Sequence, residues 1–208
     1  MELFRKNNKG FTLIEMLISM SIFVIFTGIL IGSYTSIVQS QKEANQYRDL
    51  YSNARYIIDK FTEEVKDGAV YYELNKEGVV NNKFKTAVYS LILISKDGES
   101  SVCFDYDEGN VRFSEGKSTE QKSYTLNSEN VRVKNFEMFV SPASDPYDSA
   151  NIFADTLQFQ PKVTLRMILE KDRGVKDPYE VDFTTTVSSR IYQSIKPVDT
   201  SLIVNCNG

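Results

Sequence analysis

The sequence predicts an α+β fold: a long N-terminal α-helix, membrane-spanning in its first half and amphipathic in its second, packed on an antiparallel β-sheet. Three observations predict it. The stretch from Lys9 to Ile31, KGFTLIEMLISMSIFVIFTGILI, is apolar for roughly 20 residues, about what a helix needs to cross a hydrocarbon core. Behind it, apolar residues recur every three or four positions as far as Asp67-Gly68, the pattern of a helix with one buried stripe. Beyond Gly68, β-branched and aromatic runs alternate with polar residues and are divided by turn-forming pairs such as Asp97-Gly98.

The helix is expected from Phe11 to Asp67, because no proline interrupts it before Pro142 and Asp67-Gly68 is a stop signal. Gly28 and Gly32 form a GxxxG. That spacing either lets another helix approach closely or weakens the helix, since glycine costs up to about 1 kcal/mol relative to alanine; helix flexibility is the preferred reading. In the second half the expected stripe is Ala44, Tyr47, Leu50, Tyr51, Ala54, Ile57, Ile58, Phe61 and Val65. Arg48, Arg55, Asp59, Lys60 and Glu64 fall off it.

Strands are expected at Ala87–Ser95, Ser101–Asp107, Val111–Glu115, Val131–Ser141, Lys162–Glu170 and Tyr179–Tyr192. Glu108-Gly109-Asn110 closes a hairpin, Pro142–Asp155 is a polar insertion, and KDRGVKDP (Lys171–Pro178) is a charged turn. The tail from Gln193 reads as a loop. The expected organisation is therefore a leader at 1–10, a span at 11–35 and one domain at 36–208. That domain comprises helix 36–67, a sheet within 70–192 and the tail.

Bulk properties exclude several function classes. The chain of 208 residues has no histidine, which removes Ser-His-Asp and Cys-His triads, histidine zinc sites and histidine pH switches. GxxxxGK[ST] and GxGxxG are absent, so nucleotide-binding loops have no support. Net charge is −4, and the leader holds three basic residues (Arg5, Lys6, Lys9) against Glu2, leaving −6 from Phe11 onward. Such a balance gives no general attraction to nucleic acid. Basic residues ahead of the first apolar run argue for a cytoplasmic N-terminus and an exported C-terminal part. In an exported domain Cys103 and Cys206 can pair, closing a loop worth roughly 4–5 kcal/mol on the chain-entropy model. The alternative is two free thiols.

One charge interrupts the apolar run. A carboxylate such as that of Glu15 costs about 2.5–3.5 kcal/mol at the centre of a membrane helix, so Glu15 needs a partner. A secretory signal peptide would have a shorter apolar core and its small residue after that core. A plain anchor would explain neither Glu15 nor Gly10.

GFTLIE between a basic leader and an apolar helix resembles the class III signal of type IV prepilins and pseudopilins. The resemblance implies cleavage after Gly10, N-methylation of Phe11, and pairing of Glu15 with the N-terminal amine of a neighbouring subunit. It also implies the partners: other pilin or pseudopilin subunits, a prepilin peptidase/N-methyltransferase, an inner-membrane assembly platform and the membrane itself. Major pilins often carry proline where Gly32 stands, and their helix loosens there in filaments. Other pilins often tie down a C-terminal segment by a disulfide. Pro161, the strand after it and TTTVSSR (Thr184–Arg190) are similar to J-type minor pseudopilins and W-type minor pilins, whereas Glu15 argues against the K-type tip subunit.

The function expected is a minor pilin or pseudopilin subunit of a type IV pilus or type II secretion-like filament. It would sit in the inner membrane by one span, its domain outside the cytoplasm. It is expected not to be an enzyme and to need no metal or other cofactor. A competence, DNA-uptake or adhesion subunit is the alternative within the family; an anchored exported enzyme is the alternative outside it. Asp105, Asp107 and Glu108 resemble the opening of a calcium loop, but Gly109 is at position 5 and Gly116 at position 12, so a solvated turn is the better reading. Asp145, Asp148 and Asp155 are weaker ion candidates. Lys162, Arg166, Lys171, Arg173 and Lys176 are offset by Glu170, Asp172 and Asp177 and form no clear nucleic-acid site.

Overall fold

The computed structural model describes residues 10–72, 90–117, 120–147, 160–173, 176–191, 193, 195 and 203–206. One helix, α1, runs Leu13–Asp67. Among the described residues eight strands follow: β1 Ala69–Val70, β2 Ser90–Ile94, β3 Ser101–Asp107, β4 Asn110–Lys117, β5 Glu120–Thr125, β6 Arg132–Ser141, β7 Lys162–Arg173 and β8 Lys176–Ser188. The class is α+β, with α1 packed against antiparallel strands. The chain divides into two compact units, Met1–Asn45 and Gln46–Gly208.

The second unit holds two antiparallel sheets where one was expected. β1 to β5 form the first in sequence order, and β6-β7-β8 form the second. The break falls at Leu126–Val131, where Asn127 turns a buried corner. Its Oδ1 accepts from the Val111 N–H at 2.8 Å, and its Nδ2 donates to the Val131 carbonyl at 2.8 Å. A bulge in β6 between Val133 and Asn135 re-aims the strand. The Val133 N–H then donates to Gly109 O at 2.9 Å, and the Tyr106 hydroxyl donates to Val133 O at 2.9 Å, joining the sheets.

The core lies between α1 and both sheets. Leu50, Ala54, Ile57, Phe61 and Val65, spaced at helical intervals, are fully buried with Leu91, Leu93, Phe104, Phe113, Phe136, Leu165 and Met167. The early part of the expected stripe is not buried. Ala44 is exposed, and Tyr47 and Tyr51 remain 42 % and 55 % exposed, each touching β8 edge-on through Tyr179 and Phe183. Lys60 and Glu64, which fall off the expected stripe, are half-buried and paired at 2.6 Å, with the Lys60 ammonium 4.6 Å from the Phe113 ring centre. Burial alone would lower the Lys60 pKa, but the Glu64 carboxylate outweighs it and holds the pKa above its ordinary value. The aliphatic stem of lysine covers apolar surface while its charge finds a partner.

Strand limits also differ from expectation. β2 is described only from Ser90, and residues 87–89 lie outside the described set. β5, polar and mostly exposed, was not anticipated. The eight-residue turn expected at Lys171–Pro178 is much shorter, because β7 runs to Arg173, β8 starts at Lys176, and these two residues pair. Pro178 fits inside β8 because β8 is an edge strand. At the other hairpin, Glu108 (φ 45°) and Gly109 (φ 94°) both have positive φ, as a two-residue type I′ turn requires.

TTTVSSR ends β8, and its last residues cap the helix. The Arg190 N–H donates to Lys66 O at 2.9 Å, and the Ser189 hydroxyl donates to Gly68 O at 2.9 Å, meeting carbonyls left open at the helix end. A Cβ on Gly68 would lie 2.8 Å from Glu64 O and 3.0 Å from Leu93 Cβ. Gly68→Ala is therefore expected to destabilise the domain by about 1–3 kcal/mol, read as a lower urea midpoint at unchanged slope.

Candidate functional site

Gly10, Phe11 and Thr12 precede the helix in irregular, exposed backbone, with Phe11 76 % exposed. Thr12 and Glu15 then close the first turn on each other. The Thr12 N–H donates to Glu15 Oε2 at 3.2 Å, the Thr12 hydroxyl donates to the same oxygen at 3.1 Å, and the Glu15 N–H donates to Thr12 Oγ1 at 3.3 Å. This is a capping box: Thr12 caps, and Glu15 reaches back to an amide that the helix cannot serve. Its signal, T-x-x-E ahead of an apolar run, stands in the sequence and was missed in favour of Glu15 as an isolated charge. The helix N-terminus also favours a negative group. Both bonds reach Oε2, so among the described residues Oε1 keeps its accepting capacity.

Glu15 is the only charged residue between Phe11 and Gln41. Four hydroxyls along this stretch are served within the helix. Ser21, Thr27 and Ser33 donate to Leu17, Phe23 and Ile29 carbonyls at 2.8, 2.8 and 2.9 Å, and Thr35 donates to Gly32 O at 2.9 Å. Such back-bonding lets hydroxyls sit in a medium without water. Every large apolar side chain from Phe11 to Ile37 is at least 52 % exposed. The helix is long and apolar enough to cross a membrane. A Cβ on Gly10, Gly28 or Gly32 would meet nothing within 4 Å, and α1 is unbroken through the last two.

The other candidates lie in the β-rich unit. Asp105 is half-buried, which pushes its carboxyl up, opposed by the Tyr106 N–H and Arg112. Asp107 pairs with Arg112 rather than standing free for an ion. Asp145 accepts from the Tyr147 N–H at 2.9 Å; Asp148 and Asp155 lie outside the described residues. Arg166 pairs with Asp182 at 3.3 Å and Lys171 with Asp49 of α1 at 2.6 Å, not with the acids named from sequence. Glu170 instead lies 3.9 Å from Arg132. Lys162 is exposed; the Arg173 and Lys176 side chains are outside the description. A shallow depression of about 400 Å³ lined by Ser52, Asn53, Tyr56 and Thr125–Ser128 holds no acid or base.

Cys103 and Cys206 form a disulfide, with Cα atoms 5.6 Å apart. It ties the C-terminal segment to β3, far along the chain from Glu15.

The prokaryotic N-terminal methylation motif matches residues 5–31 of this chain. The match spans Gly10, Phe11, Glu15 and Gly28 and stops short of Gly32 and the β-rich unit. No curated protein and no solved structure matches the chain.

Proposed function

We propose that the chain is a minor pilin or pseudopilin subunit that is cut after Gly10, methylated on the Phe11 amine, and assembled through α1. The methylation motif supports a type IV pilin-like subunit, structural rather than catalytic and anchored by a single helix. The observation that carries the proposal is the one acid at the head of a helix whose apolar side chains have no cover of their own. Lipid covers them before assembly, and neighbouring helices cover them in a filament.

Glu15 has a role in each state. In the membrane, Thr12 and the helix dipole offset part of the cost of its charge. In the filament, the positive N-terminal amine of a neighbour approaches Oε1, and the two charges leave lipid as a pair. At an effective dielectric near 20 their attraction at 4 Å is about 4 kcal/mol before desolvation, enough to set which amine meets which carboxylate and so the axial register. Gly28 and Gly32 give α1 its compliance for packing. The disulfide is of a kind that persists in oxidising compartments, which favours a domain outside the cytoplasm. Prepilin peptidase and the inner-membrane assembly platform are the partners this route requires.

Among minor subunits, the J-type pseudopilin and W-type pilin are the preferred class. Pro161 and Ser189 face each other through the Ser189 N–H to Pro161 O bond of 2.9 Å, and the segment after TTTV docks on the helix end. The test is Gly10→Val in cells with the peptidase. The leader is expected to stay attached and the chain to stay out of filaments; normal maturation would refute the assignment.

A further inference from the structure

The outer face of the first sheet, turned away from α1, is built to hold the C-terminal segment. Ser101, Gly116 and Gln121 form one cross-strand row, and Cys103, Ser114 and Ser123 form the next. Apart from Gln121 these are small residues, and they leave a flat bed at the end of the sheet. Val204–Cys206 is tied over it at three points. The Val204 N–H donates to Ser101 Oγ at 2.8 Å, and Cys206 is bonded to Cys103. Asn205 and Gln121 exchange two bonds, at 3.0 and 2.8 Å. Val204 completes a small apolar cluster with Tyr71, Ile92, Ile94 and Cys103, separate from the main core on the other face.

We propose that the C-terminal segment is a redox-operated strap: oxidised, it seals the outer face of β2 and β3; reduced, it lifts while the core between α1 and the sheets stays folded. The separation of the two clusters carries the inference. Leu91, Leu93 and Phe104 point into the main core, whereas Ile92, Ile94 and Cys103 alternate to the strap side. Once the covalent tie is gone, the segment rests on three hydrogen bonds to Ser101 and Gln121, each nearly offset by the bonds to water it replaces, and on one buried valine side chain. The opening step is thiol–disulfide exchange with a dithiol. The dithiol is oxidised to its disulfide, and the Cys103 and Cys206 sulfurs each leave as thiols. The inference does not depend on assembly through α1.

The test is amide hydrogen exchange on the full chain in detergent, with and without excess dithiothreitol. Reduction is expected to raise exchange at Val204 and Asn205 by at least 100-fold, and to expose Ile92 and Ile94 to a hydrophobic dye. Amides of Ile57, Phe61 and Leu165 keep their protection. Gln121→Ala, with the disulfide intact, is expected to speed reduction by dithiothreitol several-fold. Continued protection of Val204 after reduction would overturn the proposal. So would simultaneous loss of protection throughout the core, which would make the disulfide a global crosslink only.

Discussion

Replacing Glu15 by alanine is expected to leave cleavage after Gly10 unchanged and to lower incorporation into filaments by at least 100-fold. On the proposed pairing, the substitution removes the carboxylate and leaves a neighbour's ammonium in an apolar core without a partner. Breaking a buried pair in this way costs about 3–5 kcal/mol, which is a factor of 100 or more in the assembly equilibrium. It also removes the acid of the capping box, whose charge at a helix N-terminus is worth about 0.3–1 kcal/mol, so alanine alone does not separate charge from cap. Glu15→Gln does. Glutamine keeps the reach back to the Thr12 N–H but carries no charge. If charge pairing drives entry, Gln follows Ala in a filament-shearing assay; assembly of the Gln variant at the wild-type level would show that the cap matters and the charge does not.

Phe61→Ala is expected to take about 3–5 kcal/mol from the stability of the β-rich unit. Phe61 is fully buried, and its ring meets Phe104 edge-on at 5.5 Å between centres. It belongs to the main core cluster with Leu91, Leu93 and Phe113 of the first sheet, so truncation leaves a cavity there. Domains of this size have only about 5–15 kcal/mol to lose, so the variant is expected to be partly unfolded at 37 °C. Urea denaturation of the full chain in detergent, followed by tyrosine fluorescence, gives the number. A loss below about 1 kcal/mol would mean that α1 does not complete this core.

The sequence carried the class of the fold and the place of the site more clearly than it carried the sheet's organisation. Leu50, Ala54, Ile57, Phe61 and Val65 announce their burial by spacing alone, and the matching faces of β3, β6 and β7 by alternation. What periodicity cannot report is which strands pair. The split into two sheets rests on Asn127, a polar residue whose bonds to Val111 and Val131 are invisible until the corner is built. β5 was missed because EQKSYT is an exposed edge with little apolar content; Tyr124 against Phe113 is its main tie to the core. The run LILI at Leu91–Ile94 is buried on both faces, which the expected sheet with one buried and one wet face did not provide for. Its outer cover, Val204–Cys206, has no regular structure, and no pattern in NCNG announces it. At the site, Glu15 stood out by its charge, and its bond to Thr12 was legible by a rule that went unapplied.

The central claim is that Phe11 becomes the first residue of the working protein and Glu15 answers the amine so created. N-terminal sequencing with intact-mass analysis of the chain from cells containing the peptidase tests it most directly. The account predicts a chain beginning at N-methylated Phe11, with Met1–Gly10 removed. A chain that keeps the leader in those cells, or one cut elsewhere, would contradict it.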